Sequence, residues 1–144
     1  MSDSEVKPET LYGEAAQSYR YIVDWRYKIL TRYFISSTAF VLAAKWIGET
    51  IPDNRKWIIA IPLVFGAISC LFFCAMDRRN KKMIDACSSI AADLEKERGV
   101  YSVWSKLPKH KWPPSYDTIL AFIYIGSAVL FGVSAVVVPM CFSP

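Results

Sequence analysis

The chain has 144 residues, of which 53% are hydrophobic and 15% aromatic, and a formal net charge of +4. This length suffices for one domain rather than two. Four cysteines without a CxxC pair and a single histidine argue against a disulfide framework and a metal site. The chain has neither a Gly-rich phosphate loop nor a Ser/His/Asp set. We therefore predict a protein that is not an enzyme and that needs no cofactor or metal.

The N-terminal region divides into a polar tail and an amphipathic helix. Residues 1–9 are polar, of mixed charge and without an apolar signal-peptide core, so we predict a disordered segment and no cleaved signal. Apolar residues then recur at steps of four or three, at Tyr12, Ala16, Tyr19, Val23, Tyr27 and Leu30. This spacing predicts a helix from about Thr10 that runs unbroken into the first membrane span. A second stripe, Ile22, Trp25 and Ile29, lies on another face, where we expect a neighbouring subunit or lipid headgroups to cover it.

The first predicted membrane span is residues 29–47, followed by an outer loop at residues 48–56. Arg32 and Lys45 lie near the ends of this span, from where long basic side chains can reach the headgroups. Trp46 and Trp57 flank the loop as interfacial aromatic residues. A re-entrant or surface-lying segment is the alternative for residues 29–47.

Two further spans are predicted from long uncharged runs. Residues 57–76 and 118–144 contain no Asp, Glu, Lys or Arg, and a spanning helix needs about 20 predominantly apolar residues. The second and third spans are therefore placed at residues 57–76 and 117–142. Asp117 suits the positive end of the third helix's dipole.

The segment between these two spans is predicted to be cytoplasmic. It carries nine Lys and Arg residues, against three around the outer loop, so the positive-inside rule puts the N-terminus inside and the C-terminus outside. Within it, residues 77–104 form a second arm, with an apolar stripe at Met83, Cys87, Ile90, Leu94 and Tyr101. The two arms leave the membrane on the same side, so we expect each stripe to cover the other. Gly99 is expected to end the arm's helix near Arg98, and residues 105–116 form a Pro/Lys linker that returns to the membrane. The predicted fold is an all-α membrane protein with three transmembrane helices and a cytoplasmic antiparallel helical stalk.

The predicted spans contain small side chains at four-residue spacing and a run of hydroxyl side chains. Two ridges of small residues, at Gly66, Cys70 and Cys74 and at Ala128 and Gly132, favour close helix approach, either within one chain or between subunits. Four residues of the first span are candidates to line a water-filled pore: Ser36, Ser37, Thr38 and Lys45. Hydroxyl groups that bond back to their own helix are the alternative for the first three. Three helices enclose no lumen, so a pore would need several copies of the chain around an axis.

Basic residues cluster where both arms meet the membrane. The candidate anion-binding residues are Arg20, Arg26, Lys28, Arg32, Arg78, Arg79, Lys81 and Lys82. In an oligomer they would form a positive ring that attracts anionic membrane lipid first. The ring could also attract nucleotides or oligonucleotides, with salt-sensitive affinity. The alternative is that these residues bind no ligand and serve only as a stop-transfer and orientation signal: Arg78, Arg79, Lys81 and Lys82.

The arrangement resembles the SLATT group of small bacterial membrane proteins. An amphipathic helix, SYRYIVDWRYKILTRYF, leads into a short span, and a second span ends in MDRRNKKM before a long helix, CSSIAADLEKERGVY. The resemblance covers residues 10–104, and the third span is an addition to the two-span pattern. It implies a multi-pass protein of the bacterial inner membrane and a membrane effector of a nucleotide-signalling antiviral system, paired with a nucleotidyltransferase. Hailong-type systems use such a subunit as an oligomeric channel controlled by an oligonucleotide.

Two functions follow as predictions. The first is a homo-oligomeric channel, expected to be a tetramer, that a cytoplasmic nucleotide or oligonucleotide gates by binding the stalk. The alternative is a membrane anchor or adaptor whose stalk recruits a soluble partner. Residues 57–76 and 118–142, which make up the second span and nearly all of the third, contain no Asp, Glu, Lys, Arg or His, and this argues against a transporter or proton pump.

Overall fold

The computed structural model describes residues 8–98 and 116–141, and all regular structure within them is helical. Its elements are helix α1 (Pro8–Thr50), a 3₁₀ helix (Asp53–Ile59), helix α2 (Ala60–Arg98) and helix α3 (Tyr116–Cys141). The prediction of an all-helical chain is confirmed for these residues. Most of the predicted linker, residues 105–115, lies outside them, as does Tyr101 of the predicted stripe.

Two helical stretches are long and apolar enough to cross a membrane, Arg55–Glu97 and Tyr116–Cys141. Both leave large apolar side chains on the surface; Phe122, for example, is 75% exposed and Phe72 is 60% exposed. A soluble protein rarely exposes so much contiguous apolar surface. Lipid tails are the natural cover for these faces.

Helix α1 is continuous from the stalk into the predicted first span. It begins at Pro8, two residues before the predicted start, and ends at Thr50. The end follows from Pro52, because the residue before a proline is disfavoured in the helical conformation. The 3₁₀ helix then reverses the chain, and α2 returns antiparallel to α1.

Helix α2 is the centre of the arrangement. Both α1 and α3 pack along it, whereas within the described residues α1 and α3 approach each other through side chains and not through closely spaced backbones. Gly66 of α2 permits the close approach of α3, since a Cβ there would lie 2.8 Å from the Phe131 ring. Cys70 and Cys74 are buried in the same core, with Tyr124 and Ala128 of α3. The small-residue ridge of the second span therefore packs within one chain. Gly132, by contrast, has open space where its Cβ would be.

The buried face of α1 includes the second predicted stripe, whereas we expected only the first stripe to face α2. Ile22 and Ile29 are 6% and 1% exposed, although we expected a neighbouring subunit or lipid to cover them, while Tyr27 of the first stripe is 62% exposed. That expectation is wrong for Ile22 and Ile29. On α2, Met83 and Ile90 of the second stripe are likewise exposed.

Polar contacts explain this rotation of the helices. Tyr12 donates a hydrogen bond to Glu95, with 3.2 Å between the oxygens, and Arg26 pairs with Asp77. Glu95 and Asp77 are both buried. Buried polar groups must be satisfied, so these pairs fix the α1–α2 interface together with the buried Ile22 and Ile29.

Candidate functional site

Four charged side chains from all three helices meet at one level of the molecule, and we call them the Arg26 cluster: Arg26, Asp77, Lys81 and Asp117. Arg26 donates from Nε to Oδ1 of Asp77 over 2.8 Å and from Nη2 to Oδ2 over 2.9 Å. The same Nη2 lies 2.7 Å from Oδ1 of Asp117, and Lys81 Nζ lies 3.1 Å from Oδ2 of Asp117. Two cations thus balance two carboxylates.

Sequence position explains why these residues share one depth. Arg26 lies three residues before the predicted first span, Asp77 directly follows the uncharged run of α2, and Asp117 is in the first turn of α3. Each therefore lies at the edge of an apolar segment, at the end where the two arms begin. The sequence contained this signal, but we interpreted Arg26 as an anion-binding residue and Asp117 only as a helix-end charge.

The environment of Arg26 favours its charged form. Burial opposes the charge, but the hydrogen bonds and charges of Asp77 and Asp117 outweigh burial and raise the pKa of Arg26 above its ordinary value. The Arg26 side chain is 12% exposed and that of Asp77 is 8% exposed. Such a pair is costly to break, because the remaining partner would be a buried and uncompensated charge.

A second link between α1 and α3 lies deeper, at Tyr33. Its hydroxyl donates to Oγ of Ser127 over 2.6 Å. Its ring packs edge-on against Tyr124, with centroids 4.8 Å apart, and against Phe73. Tyr33 is 3% exposed. Arg26 and Tyr33 therefore join α1 to α3 in the half of the bundle nearest the stalk.

The outer half of the same bundle holds an open crevice. A cavity of about 380 Å³ lies between the three helices there, and Lys45 and Ser134 are the polar side chains among apolar ones that line it. The α1–α3 contact is thus tight near the stalk and loose near the outer loop.

The four candidate pore residues do not share one surface. Ser37 turns inward and interacts with the thiol of Cys70, and Ser36 is half-buried. Thr38 is exposed, as is Lys45, whose Nζ lies 3.8 Å from a carboxylate oxygen of Glu49.

One further residue, Thr31, belongs with the exposed pair. It lies seven residues before Thr38, which lies seven before Lys45, so all three follow one line along the helix. Sequence reasoning missed Thr31 because it weighed the adjacent hydroxyls and not the seven-residue spacing. We call Thr31, Thr38 and Lys45 the polar line of α1.

The eight candidate anion-binding residues separate into two groups. Arg26 and Lys81 belong to the Arg26 cluster, Lys28 pairs with Asp24 over 2.6 Å, and the Arg32 guanidinium stacks over Trp25. The other four carry exposed positive charge and form no ion pair within the described residues: Arg20, Arg78, Arg79 and Lys82. The structure therefore does not bring all eight together within one chain.

The cations that follow the second span open onto a groove between α2 and α3. Arg78, Arg79 and Lys82 line it, and its other lining residues are Leu71, Cys74, Ala75 and Ile125. Its volume is about 480 Å³. We call this feature the basic groove.

Comparison with known proteins gave no relative. A scan against models of protein families found no match, and searches of curated proteins and of solved structures found no similar chain either.

Proposed function

We propose that this protein is the subunit of a homo-oligomeric membrane channel, opened from the cytoplasm through its helical stalk. The observation that carries the proposal is the polar line of α1. Thr31, Thr38 and Lys45 are all exposed on α1, and Lys45 also lines the mouth of the crevice between the three helices. A charged side chain that faces lipid is costly, whereas the Thr31 hydroxyl already donates to the backbone oxygen of Tyr27 over 3.0 Å, so this cost falls on Lys45. Several copies around an axis would let this line face water.

The proposal requires that α1 cross the membrane together with α2. The two helices run side by side as far as the outer loop, where a Cβ on Gly48 would lie 3.4 Å from Ile59. Residues 29–47 therefore lie alongside the apolar part of α2. If α2 spans the bilayer, this part of α1 lies at the same depth.

Exposed apolar residues of α2 support assembly of several copies. Lipid can cover exposed residues of the apolar run, but Met83 and Ile90 continue as exposed apolar residues into the stalk. Ile90 is fourteen residues beyond Met76, which is about 21 Å along a helix at 1.5 Å per residue. Lipid tails do not reach that far, so another protein surface would cover Ile90. A second copy of the chain, in a tetramer, is the cover that we propose.

The resemblance to the SLATT group bears on which ligand controls the channel. It favours a cytoplasmic nucleotide or oligonucleotide as the ligand, a nucleotidyltransferase as its source, and antiviral defence in a bacterial inner membrane as the setting. Exposed cations of the stalk outside the basic groove, such as Arg20, would provide the attraction. A ligand opens such a gate only if it binds the open packing more tightly than the closed one.

A direct test is electrical recording from the purified protein in planar bilayers, with and without nucleotides or short oligonucleotides. We expect discrete currents, and Thr38→Trp should reduce their amplitude because it places a bulky ring on the polar line. The matched control is Phe122→Trp, on a 75%-exposed position of α3, which should leave the amplitude unchanged. Currents that Thr38→Trp leaves intact would contradict a pore lined by α1.

A membrane adaptor is the second candidate, and exposed apolar residues of the stalk favour it. Tyr21 and Ile90 are 67% and 54% exposed, and a soluble partner could cover them instead of a second copy. Absence of current, together with capture of one soluble protein that Ile90→Glu abolishes, would favour the adaptor over the channel.

A further inference from the structure

We propose that the basic groove between α2 and α3 binds an anionic phospholipid of the cytoplasmic leaflet. Its phosphate would lie against Arg78, Arg79 and Lys82, and an acyl chain would lie along Leu71, Ala75 and Ile125. This site depends on the membrane placement of α2 and α3 and not on channel activity, so the two proposals can fail separately.

Charge is the first argument. The three basic side chains that line the groove form no ion pair within the described residues, and no carboxylate lines it. Lys81, one residue away from Lys82, is instead held by Asp117. The groove therefore presents uncompensated positive charge at the level where the phosphate groups of a bilayer lie, and each such residue attracts anionic lipid.

The shape of the groove is the second argument. Below the cations its lining is apolar, with Leu71, Ala75 and Ile125. Leu71 is six residues before Asp77, and Ile125 is eight residues after Asp117, which places this lining about 9–12 Å deeper than the Arg26 cluster at 1.5 Å per residue. A phospholipid combines a charged head with an apolar tail over this length. A nucleotide or a free phosphate would satisfy only the upper part.

The depth of the groove is the third argument. Arg26, Asp77 and Asp117 fix the ends of the apolar segments of three helices at one level. Arg78 and Arg79 directly follow Asp77, so they lie at or just above this level, where interfacial basic side chains meet headgroups. The groove thus crosses the boundary between headgroups and tails.

Native mass spectrometry of the detergent-purified protein, titrated with phosphatidylglycerol or phosphatidylcholine, tests the site. We expect bound phosphatidylglycerol and little phosphatidylcholine. The triple variant Arg78→Gln, Arg79→Gln, Lys82→Gln should bind phosphatidylglycerol more weakly, by on the order of 100-fold if each cation contributes about fivefold. The control Lys28→Gln, Arg55→Gln, Lys96→Gln removes the same charge from exposed positions outside the groove and should bind as the wild type does.

Two further sets of measurements distinguish a bound lipid from other anions. Ala75→Phe fills the apolar part and keeps every charge, so it should also weaken phosphatidylglycerol binding; the variants Arg78→Lys and Arg79→Lys should retain it. Glycerophosphoglycerol, the head without tails, should bind far more weakly than the lipid. Equal binding of that soluble head, or binding of a short oligonucleotide that the triple variant abolishes while phosphatidylglycerol binding persists, would overturn the assignment. Equal phosphatidylglycerol binding by the triple and control variants would overturn it as well.

Discussion

The guanidinium of Arg26 donates hydrogen bonds to both carboxylate oxygens of Asp77, over 2.8 and 2.9 Å, although the two residues are 51 positions apart in the chain. This pair joins α1 to α2 at the base of the stalk, and the same guanidinium reaches Asp117 of α3. One arginine thus fixes the relative height of three helices.

Replacement of Arg26 should destabilise the bundle strongly. Arg26→Gln leaves Asp77 buried without its partner, and breaking a buried pair in this way costs about 3–5 kcal/mol. Thermal or denaturant unfolding in detergent, followed by circular dichroism, measures the effect. Lys28→Gln is the control, because its pair with Asp24 is exposed and such pairs contribute only about 0.3–0.5 kcal/mol. Equal stability of the two variants would show that the Arg26 cluster does not hold the helices.

The two tyrosines at the α1–α3 contact should respond differently to loss of the hydroxyl. Tyr33 donates a hydrogen bond to Ser127, whereas the buried hydroxyl of Tyr124 has no partner within the described residues. Tyr33→Phe should cost about 1 kcal/mol, and Tyr124→Phe should be neutral or stabilising. The same unfolding measurement compares them, since both remove one oxygen from adjacent rings. The reverse order would mean that the 2.6 Å contact contributes nothing.

A methyl group at Gly66 should loosen the α2–α3 contact. Its carbon would meet the Phe131 ring at 2.8 Å, and overpacking of this kind costs about 1–3 kcal/mol. Gly132→Ala is the matched control, because nothing lies within 4 Å of its added Cβ and alanine favours a helix by up to about 1 kcal/mol over glycine. Unfolding should therefore shift in opposite directions for the two variants. A loss of stability in Gly132→Ala would indicate that Gly132 contacts another subunit.

Reversal of charge at Lys45 should change ion selectivity if α1 lines the pore. Lys45→Glu places a ring of carboxylates near the outer mouth, which favours cations over anions. Reversal potentials under a salt gradient measure this, and we expect a several-fold shift of the permeability ratio toward cations. Arg55→Glu makes the same charge change at an exposed residue of the outer loop and should shift the ratio less. An identical shift in both variants would indicate surface charge and not a pore wall.

The extent of each helix was easier to predict from the sequence than which side of the helix is buried. The unbroken α1 was predicted from apolar residues at helical spacing and from the lack of any proline between Pro8 and Pro52. The apolar parts of α2 and α3 were predicted from long runs without Asp, Glu, Lys or Arg. The rotation of α1 was not predictable from its stripes. It is set by Arg26, which pairs with residues 51 and 91 positions away, and hydrophobic periodicity carries no information about such partners.

The candidate site was predictable only in part. Arg78, Arg79 and Lys82 were recognised as a positive patch, but their separation from Lys81 depends on Asp117 of α3. The pore candidates were chosen as consecutive hydroxyls, and successive residues of a helix point about 100° apart. Ser37 therefore had to turn away from Thr38, whatever the rest of the chain does.

The hydrogen bonds between α1 and α3 within the described residues lie at the stalk end, at Arg26 and Tyr33, whereas the far half of α3 is held by apolar packing on α2, with Phe131 against Gly66. From Asp117 to Cys141 the helix rises about 36 Å at 1.5 Å per residue. A tilt of about 10° around the Asp117 end would carry the far tip through about 6 Å on this geometry. The close fit of Phe131 over Gly66 opposes such a tilt, so shape complementarity and not polar bonding fixes the far end of α3.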